Sequence, residues 1–252
     1  MNRQDLSAAV DAKREDDPYS IFRWSLVSPQ HKYLWNILPK NACVTTTLTL
    51  REFEGNPYRG GEVWDDEGVL KLRDFGTDEI VEMLTSPEWC RFCFVRNPYD
   101  KLFSAYKSKI GDPDGDPWYQ RAQSEIREMF DYPKRDGQRV GIVSFRDFVR
   151  FVQGGGWPQD GHWCVQVRKL TTELISYDYI GRFETFQRDF KNLLERLGTP
   201  PEIVASAEKI HGQSAKICLP AAYDRELADM VYKIYRDDFD AFGYDRDRWM
   251  FQ

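Results

Sequence analysis

Residues 32–47, KYLWNILPKNACVTTT, decide the fold. The segment 32–38 is a short apolar run closed by Pro39, the pattern of a buried strand. Its exit is polar. TTTLTLREF over residues 45–53 then has the composition of a helix whose first turn carries threonines, side chains suited to capping open backbone N–H groups. The same order returns in residues 90–110, CRFCFVRNPYDKLFSAYKSKI. Residues 90–95 are apolar apart from Arg91 and end at Arg96-Asn97-Pro98. Beyond them Leu102, Phe103, Tyr106 and Ile110 recur at helical spacing.

Outward from these two units, helices are expected near residues 77–84, 144–152, 185–197 and 222–239, with a strand near 177–181. Helices alternating with short apolar strands imply an α/β fold: one domain over residues 31–252, with a central parallel β-sheet flanked by helices. Ligands of such sheets sit outside the carboxyl ends of the strands, where the loops at Pro39 and Arg96 would meet. Residues 1–30 are polar and charged and read as a flexible N-terminal arm. Residues 111–165, turn-rich and charged at first, read as a lid and acceptor-site region.

Composition narrows the function classes. The chain has 252 residues, 41% of them hydrophobic, enough for a sizeable core. No stretch approaches the roughly 20 apolar residues of a membrane span, so none is expected. With 41 acidic against 35 basic side chains and a formal net charge of -6, a nucleic-acid partner is disfavoured and any anion site must be local. Five scattered cysteines do not form the even set of an exported disulfide framework, which points to a reducing cytoplasm.

Two segments could hold anions. Lys40, Asn41, Ala42, Cys43, Val44, Thr45, Thr46 and Thr47 form a candidate phosphate cradle, in which helix N-terminal N–H groups, three hydroxyls and one ammonium would converge. The GxxxxGK[ST] pattern is absent, so it is not a Walker loop. An ordinary capped helix with a solvated lysine remains the alternative. Arg96 with Ser104, eight positions on, offers a guanidinium fork and a hydroxyl for a phosphate monoester. Five basic residues against one acid between Arg91 and Lys109 make that region locally cationic.

PKNACVTTT and FVRNPYDKLFSAYKSK resemble the 5′-phosphosulfate loop and the 3′-phosphate motif of the nucleotide-dependent sulfotransferases, most closely the group that includes the Golgi carbohydrate sulfotransferases. FRDFVRF (145–151), His162-Trp163 with Gln166, YDYIGRFE (177–184) and YRDDFDAFGY (235–244) resemble further blocks of that family in the same order. Asn97 and Lys101 stand where the family usually has Asp and Arg, and the family's membrane anchor is not found. The resemblance implies a P-loop-NTPase-like sulfotransferase fold. It implies 3′-phosphoadenosine 5′-phosphosulfate (PAPS) as donor, adenosine 3′,5′-bisphosphate (PAP) as product, and a carbohydrate or small-metabolite hydroxyl or amine as acceptor. Lys40 and the threonine hydroxyls would then stabilise the leaving phosphate oxygen, and Arg96 with Ser104 would hold the 3′-phosphate. A lysine and N–H dipoles neutralise that charge without a metal, and no metal is expected. The rivals are a small-molecule kinase using ATP and magnesium, and a non-catalytic nucleotide-binding scaffold.

The acceptor must lose a proton. His162, beside Trp163 and after GGGWPQDG, is the candidate base, with Glu54, Glu62 or Asp65 as carboxylate alternatives. His31 reads as a surface residue and His211 as part of a loop with Lys209 and Lys216. Trp118, Tyr119, Trp157 and Trp163 are candidate stacking residues for an acceptor, although aromatic residues are more often core. Cys90 and Cys93, three apart on a strand, point to opposite faces and read as packing residues.

Overall fold

The two apolar runs lie side by side in the computed structural model, which describes residues 2–16, 21–60, 63, 69–210 and 219–250. The first half of the chain folds as α1 (Arg3–Asp16), β1 (Ser25–Ser28), β2 (Tyr33–Asn36), α2 (Cys43–Phe53), α3 (Thr77–Thr85), β3 (Cys90–Val95), α4 (Pro98–Ala105) and α5 (Gln120–Met129). Next come β4 (Lys134–Arg135), β5 (Gln138–Arg139), α6 (Phe145–Gln153), α7 (Gln166–Lys169), β6 (Tyr179–Arg182), α8 (Phe186–Arg196) and α9 (Pro201–Ile210). The last helices are α10 (Leu219–Ala222), α11 (Arg225–Ile234) and α12 (Arg236–Phe242). The main sheet has the order β1-β2-β3-β6, with β2, β3 and β6 parallel and β1 antiparallel to β2. The fold is α/β with a mostly parallel central sheet flanked by helices.

The chain gathers into two compact units, 1–96 with 166–215, and 97–165 with 216–252. The first unit holds the sheet. Period-two alternation sends Tyr33, Trp35, Phe92 and Phe94 to one face, where they pack with Leu50 of α2 and with Phe186, Phe190 and Leu193 of α8. Val27 and Leu34 face the other way, among Ile80, Val81 and Leu84 of α3 and Leu6 and Val10 of α1. Full burial of side chains this large contributes roughly 1.5–3 kcal/mol each. Gly181 pairs with Phe94 across the sheet, and a Cβ there would stand 2.2 Å from the Phe94 ring, so the close approach requires glycine.

The second unit has its own core: Tyr99 and Leu102 of α4, Ala122 and Ile126 of α5, Phe148 and Phe151 of α6, and Leu227 and Val231 of α11.

Three expectations need correcting. The supposed arm over 1–30 contains α1 and β1; Leu6 and Val10, four apart, make one helix face that covers α3. The supposed lid over 111–165 contributes Tyr119, Ala122, Ile126, Val143, Phe148 and Trp163 to the second core, so its surface charge hides a packed interior. The last helix is two, α11 and α12, broken at Tyr235, whose φ of -108° and ψ of 22° leave the helical region. Its hydroxyl donates to the Trp163 carbonyl, which fixes the break.

Candidate active site

In the first unit, the loop after β2 turns through two left-handed residues, Lys40 at φ 72° and Ala42 at φ 60°. Each costs about 1–2 kcal/mol for a residue with a Cβ, so the surroundings must hold this shape. Ala42 is the N-cap of α2, has no side-chain oxygen to offer, and caps nothing. The first helical bond runs from Thr46 N–H to the Ala42 carbonyl, which leaves the N–H groups of Cys43, Val44 and Thr45 without a partner inside the helix. No acidic residue occupies the first turn. An uncapped, left-handed approach behind a lysine suits a phosphate or sulfate oxyanion.

The threonines do not converge as expected, because successive helical residues turn by about 100°. The Thr46 hydroxyl returns to the Ala42 carbonyl at 3.1 Å. Thr47 is buried, its hydroxyl makes no hydrogen bond, and it lines a small apolar cavity with Trp24, Leu26, Ile37 and Val69. Thr45 alone of the three is half-buried. Burial pushes the Cys43 thiol up, against the opposing pull of the backbone N–H groups of Lys40, Val44 and Cys43 and of the Lys40 charge, so Cys43 is a packing residue in a positive field.

The two anion loops meet. Arg96 Nη1 donates to the Lys40 carbonyl at 2.8 Å, and the guanidinium lies 3.9 Å from the centre of the Phe183 ring. Asn41, buried, donates from Nδ2 to the Phe94 carbonyl at 2.8 Å and to Gln166 Oε1 at 3.0 Å. Gln166 Oε1 also accepts from Arg96 N–H at 3.0 Å, and Nε2 donates to the Arg96 carbonyl at 2.8 Å. Ser104 belongs to the other unit, half-buried on α4. Asn97 caps α4 by accepting from Tyr99 N–H at 3.0 Å, while the buried Lys101 donates from Nζ to the carbonyls of Gly161, His162 and Cys164.

That ammonium helps fix the segment carrying His162. His162 Nδ1 is 2.9 Å from Asp160 Oδ1 and 2.9 Å from the Tyr119 hydroxyl, and Asp160 Oδ1 also accepts from His162 N–H at 2.8 Å. A carboxylate only accepts, so Nδ1 carries the proton and Nε2 keeps its lone pair. Burial holds the ring below the ordinary imidazole value; Asp160 opposes that shift, and Lys109 and Lys101 add to it.

Other candidates fare differently. Glu54 is the C-cap of α2, roughly 16 Å along the helix axis from Cys43 at 1.5 Å per residue, at the opposite end of the helix from the Lys40 loop. His31 is half-buried and stacks on Phe53 at 3.9 Å rather than lying free on the surface. Trp163 is 1% exposed, with Nε1 on the carbonyls of Gly156 and Trp157, and cannot stack on an acceptor. Trp157 is half-buried with Nε1 on Glu125, and Trp118 is exposed. Glu62, Asp65, His211 and Lys216 lie outside the described residues. Among the described residues no three His, Cys, Asp or Glu side chains gather as a metal-ligand set.

A sequence model of the sulfotransferase family matches residues 24–245, a span that contains both anion loops, Gln166 and His162. The chain belongs to the sulfotransferase family. Curated relatives include carbohydrate sulfotransferase 14 of Danio rerio, 28% identical over 87% of this chain and 61% of its own length. Carbohydrate sulfotransferase 10 of Xenopus laevis is 28% identical over 89% of this chain and 68% of its own. Carbohydrate sulfotransferase 14 of Homo sapiens is 25% identical over 89% and 61%. The chain thus spans about three-fifths of the length of most of these sulfotransferases. No solved structure matches. Family membership favours neither the kinase nor the scaffold alternative.

Gln166, Asp160 and Phe183 were not singled out as site residues by sequence reasoning, and Tyr119 was read as a stacking ring rather than as a partner of His162. Gln166 and Phe183 lie within family-like blocks, the one signal that could have flagged them.

Proposed function

We propose that this chain transfers the sulfuryl group of PAPS to a hydroxyl of a carbohydrate and releases PAP. The observation that carries the reading is an uncapped helix N-terminus behind Lys40, hydrogen-bonded through the Lys40 carbonyl to Arg96, in a chain of this family. Lys40 and the N–H groups of Cys43, Val44 and Thr45 hold the 5′ side of the donor. They stabilise the charge that develops on the departing phosphate oxygen. Arg96 and Ser104 hold the 3′-phosphate. His162 takes the acceptor proton on Nε2, and Trp118 and Trp157 offer rings to the acceptor. The carbohydrate class is supported by the names of the relatives, and a small hydroxylated or amino metabolite is the other acceptor to test. A cytoplasmic location belongs to the proposal and rests on the odd number and scatter of the five cysteines in the sequence. No helix among the described residues is long and apolar enough to cross a membrane.

The test is transfer of label from sulfur-labelled PAPS to a panel of glycans and small hydroxylated or amino compounds. The wild type should label at least one, with turnover unchanged by EDTA. Lys40→Ala should lower turnover by about 10²–10³-fold while remaining folded, the usual loss on removing one group that stabilises transition-state charge. Full activity of Lys40→Ala, or labelling of no compound, would contradict the proposal.

A further inference from the structure

The Lys40–Ala42 turn is strained and Arg96 lies beside it, so something must keep the two in register, and the sequence around Lys40 supplies no glycine and no capping oxygen to do so. Gln166 bonds to both. It is 0% exposed; its Oε1 accepts from Asn41 Nδ2 and from Arg96 N–H, and its Nε2 donates to the Arg96 carbonyl. Asn41 sits between the two left-handed residues, so its side chain anchors the turn to Gln166 and to the end of β3 at the Phe94 carbonyl. Arg96 then returns from the other side to the Lys40 carbonyl and closes a ring of hydrogen bonds. The chain leaves the first unit after Arg96 and re-enters it at Gln166, so this one side chain ties the end of β3 to the turn that precedes α2.

We propose that Gln166 is the positioning residue of the donor site, holding the Lys40–Ala42 turn and Arg96 at the spacing that the two ends of a 3′,5′-bisphosphorylated nucleotide require. The inference rests on the PAPS reading above. The chemistry needed is one acceptor shared by two N–H donors, plus one donor for a carbonyl, at the reach of a three-carbon stem. Glutamine supplies both; methionine has the volume without either function, and asparagine has both functions one methylene short.

Calorimetric titration with PAP decides it, using wild type, Gln166→Met and Gln166→Asn, each with its thermal midpoint. PAP should bind both variants about 10- to 100-fold more weakly at a temperature where they are fully folded. KM for PAPS should rise while KM for the acceptor stays put. If Gln166→Met does not fold, Gln166→Asn makes the same measurement. Lower thermal midpoints with PAP affinity within twofold of wild type would show a merely structural glutamine and overturn the inference, leaving the PAPS reading intact. No PAP binding by the wild type would overturn both.

Discussion

At the scale of single residues, the site separates side chains that can be read locally from those that cannot. Lys40 and Arg96 stand out in the sequence because each follows an apolar strand, where the chain must turn and where ligands collect. Three consecutive threonines looked like three ligands, but helical rotation spends one hydroxyl on the backbone and buries another. Asp160 carried no local signal either, since its role depends on a ring two residues on being turned back against it and against Tyr119, 43 positions away. If His162 is the base, Asp160 sets its tautomer. In Asp160→Asn the side-chain amide donates to Nδ1, moves the proton to Nε2, and leaves that atom unable to accept one. The plateau of kcat/KM should fall by about 10²-fold or more, in the roughly 10²–10⁴ range that a general base supplies. The groups that act on the ring are Asp160, Tyr119, Lys109, Lys101 and Asp116. Asp160 raises the value and the two lysines lower it. Losing Asp160 should therefore move the acid limb of the profile to lower pH. An unchanged profile and plateau would remove Asp160 from the mechanism.

At the scale of elements, β2 and β3 were legible because continuous apolar runs bounded by Pro39 and by Asn97-Pro98 have few other readings, and the strand at 90–95 was found to the residue. The N-terminal helix was not, because its apolar face is only Leu6 and Val10 and its remaining residues are those of a solvated arm. The sheet is also fastened by a pair that sequence could not align. Arg91 of β3 donates from Nε and Nη2 to Asp178, just before β6, at 2.7 and 2.9 Å, and its Nη1 covers the carbonyls of Met83, Leu84 and Ser86. Burial alone would raise the Asp178 carboxyl, but the Arg91 hydrogen bonds and charge hold it below the ordinary value. A depressed carboxylate stabilises the fold above the unfolded value near 3.9, and that contribution is lost as pH falls through the folded value. Asp178→Asn, which strands the buried guanidinium, should cost about 3 kcal/mol in urea unfolding at pH 7, and the gap to wild type should shrink below about pH 4. A gap independent of pH would mean that the charge contributes nothing.

At the scale of the whole molecule, the chain is acidic, yet its candidate donor loops carry Lys40, Arg96 and uncapped N–H groups, so selectivity for a polyanion has to come from local geometry rather than net charge. The α/β class was legible from strands alternating with helices. The division into two units was not, because the chain passes from one to the other at Arg96 and returns at Gln166, and hydrogen bonds between residues 70 apart leave no periodic trace. The charged stretch after residue 111 misled for the opposite reason: its acids and bases are surface, while Tyr119, Ala122 and Ile126 pack inward. The central claim is the proposal that the first unit presents a two-anion nucleotide site, with Lys40 and the start of α2 at one end and Arg96 at the other. Calorimetric titration with PAP, against 5′-AMP and against ATP with magnesium, tests it most directly. The account predicts that PAP binds at least about tenfold more tightly than 5′-AMP without metal, since one more phosphate held by charge-assisted hydrogen bonds is worth at least about 1.5 kcal/mol. Equal affinity for PAP and 5′-AMP, or a preference for ATP with magnesium, would contradict it.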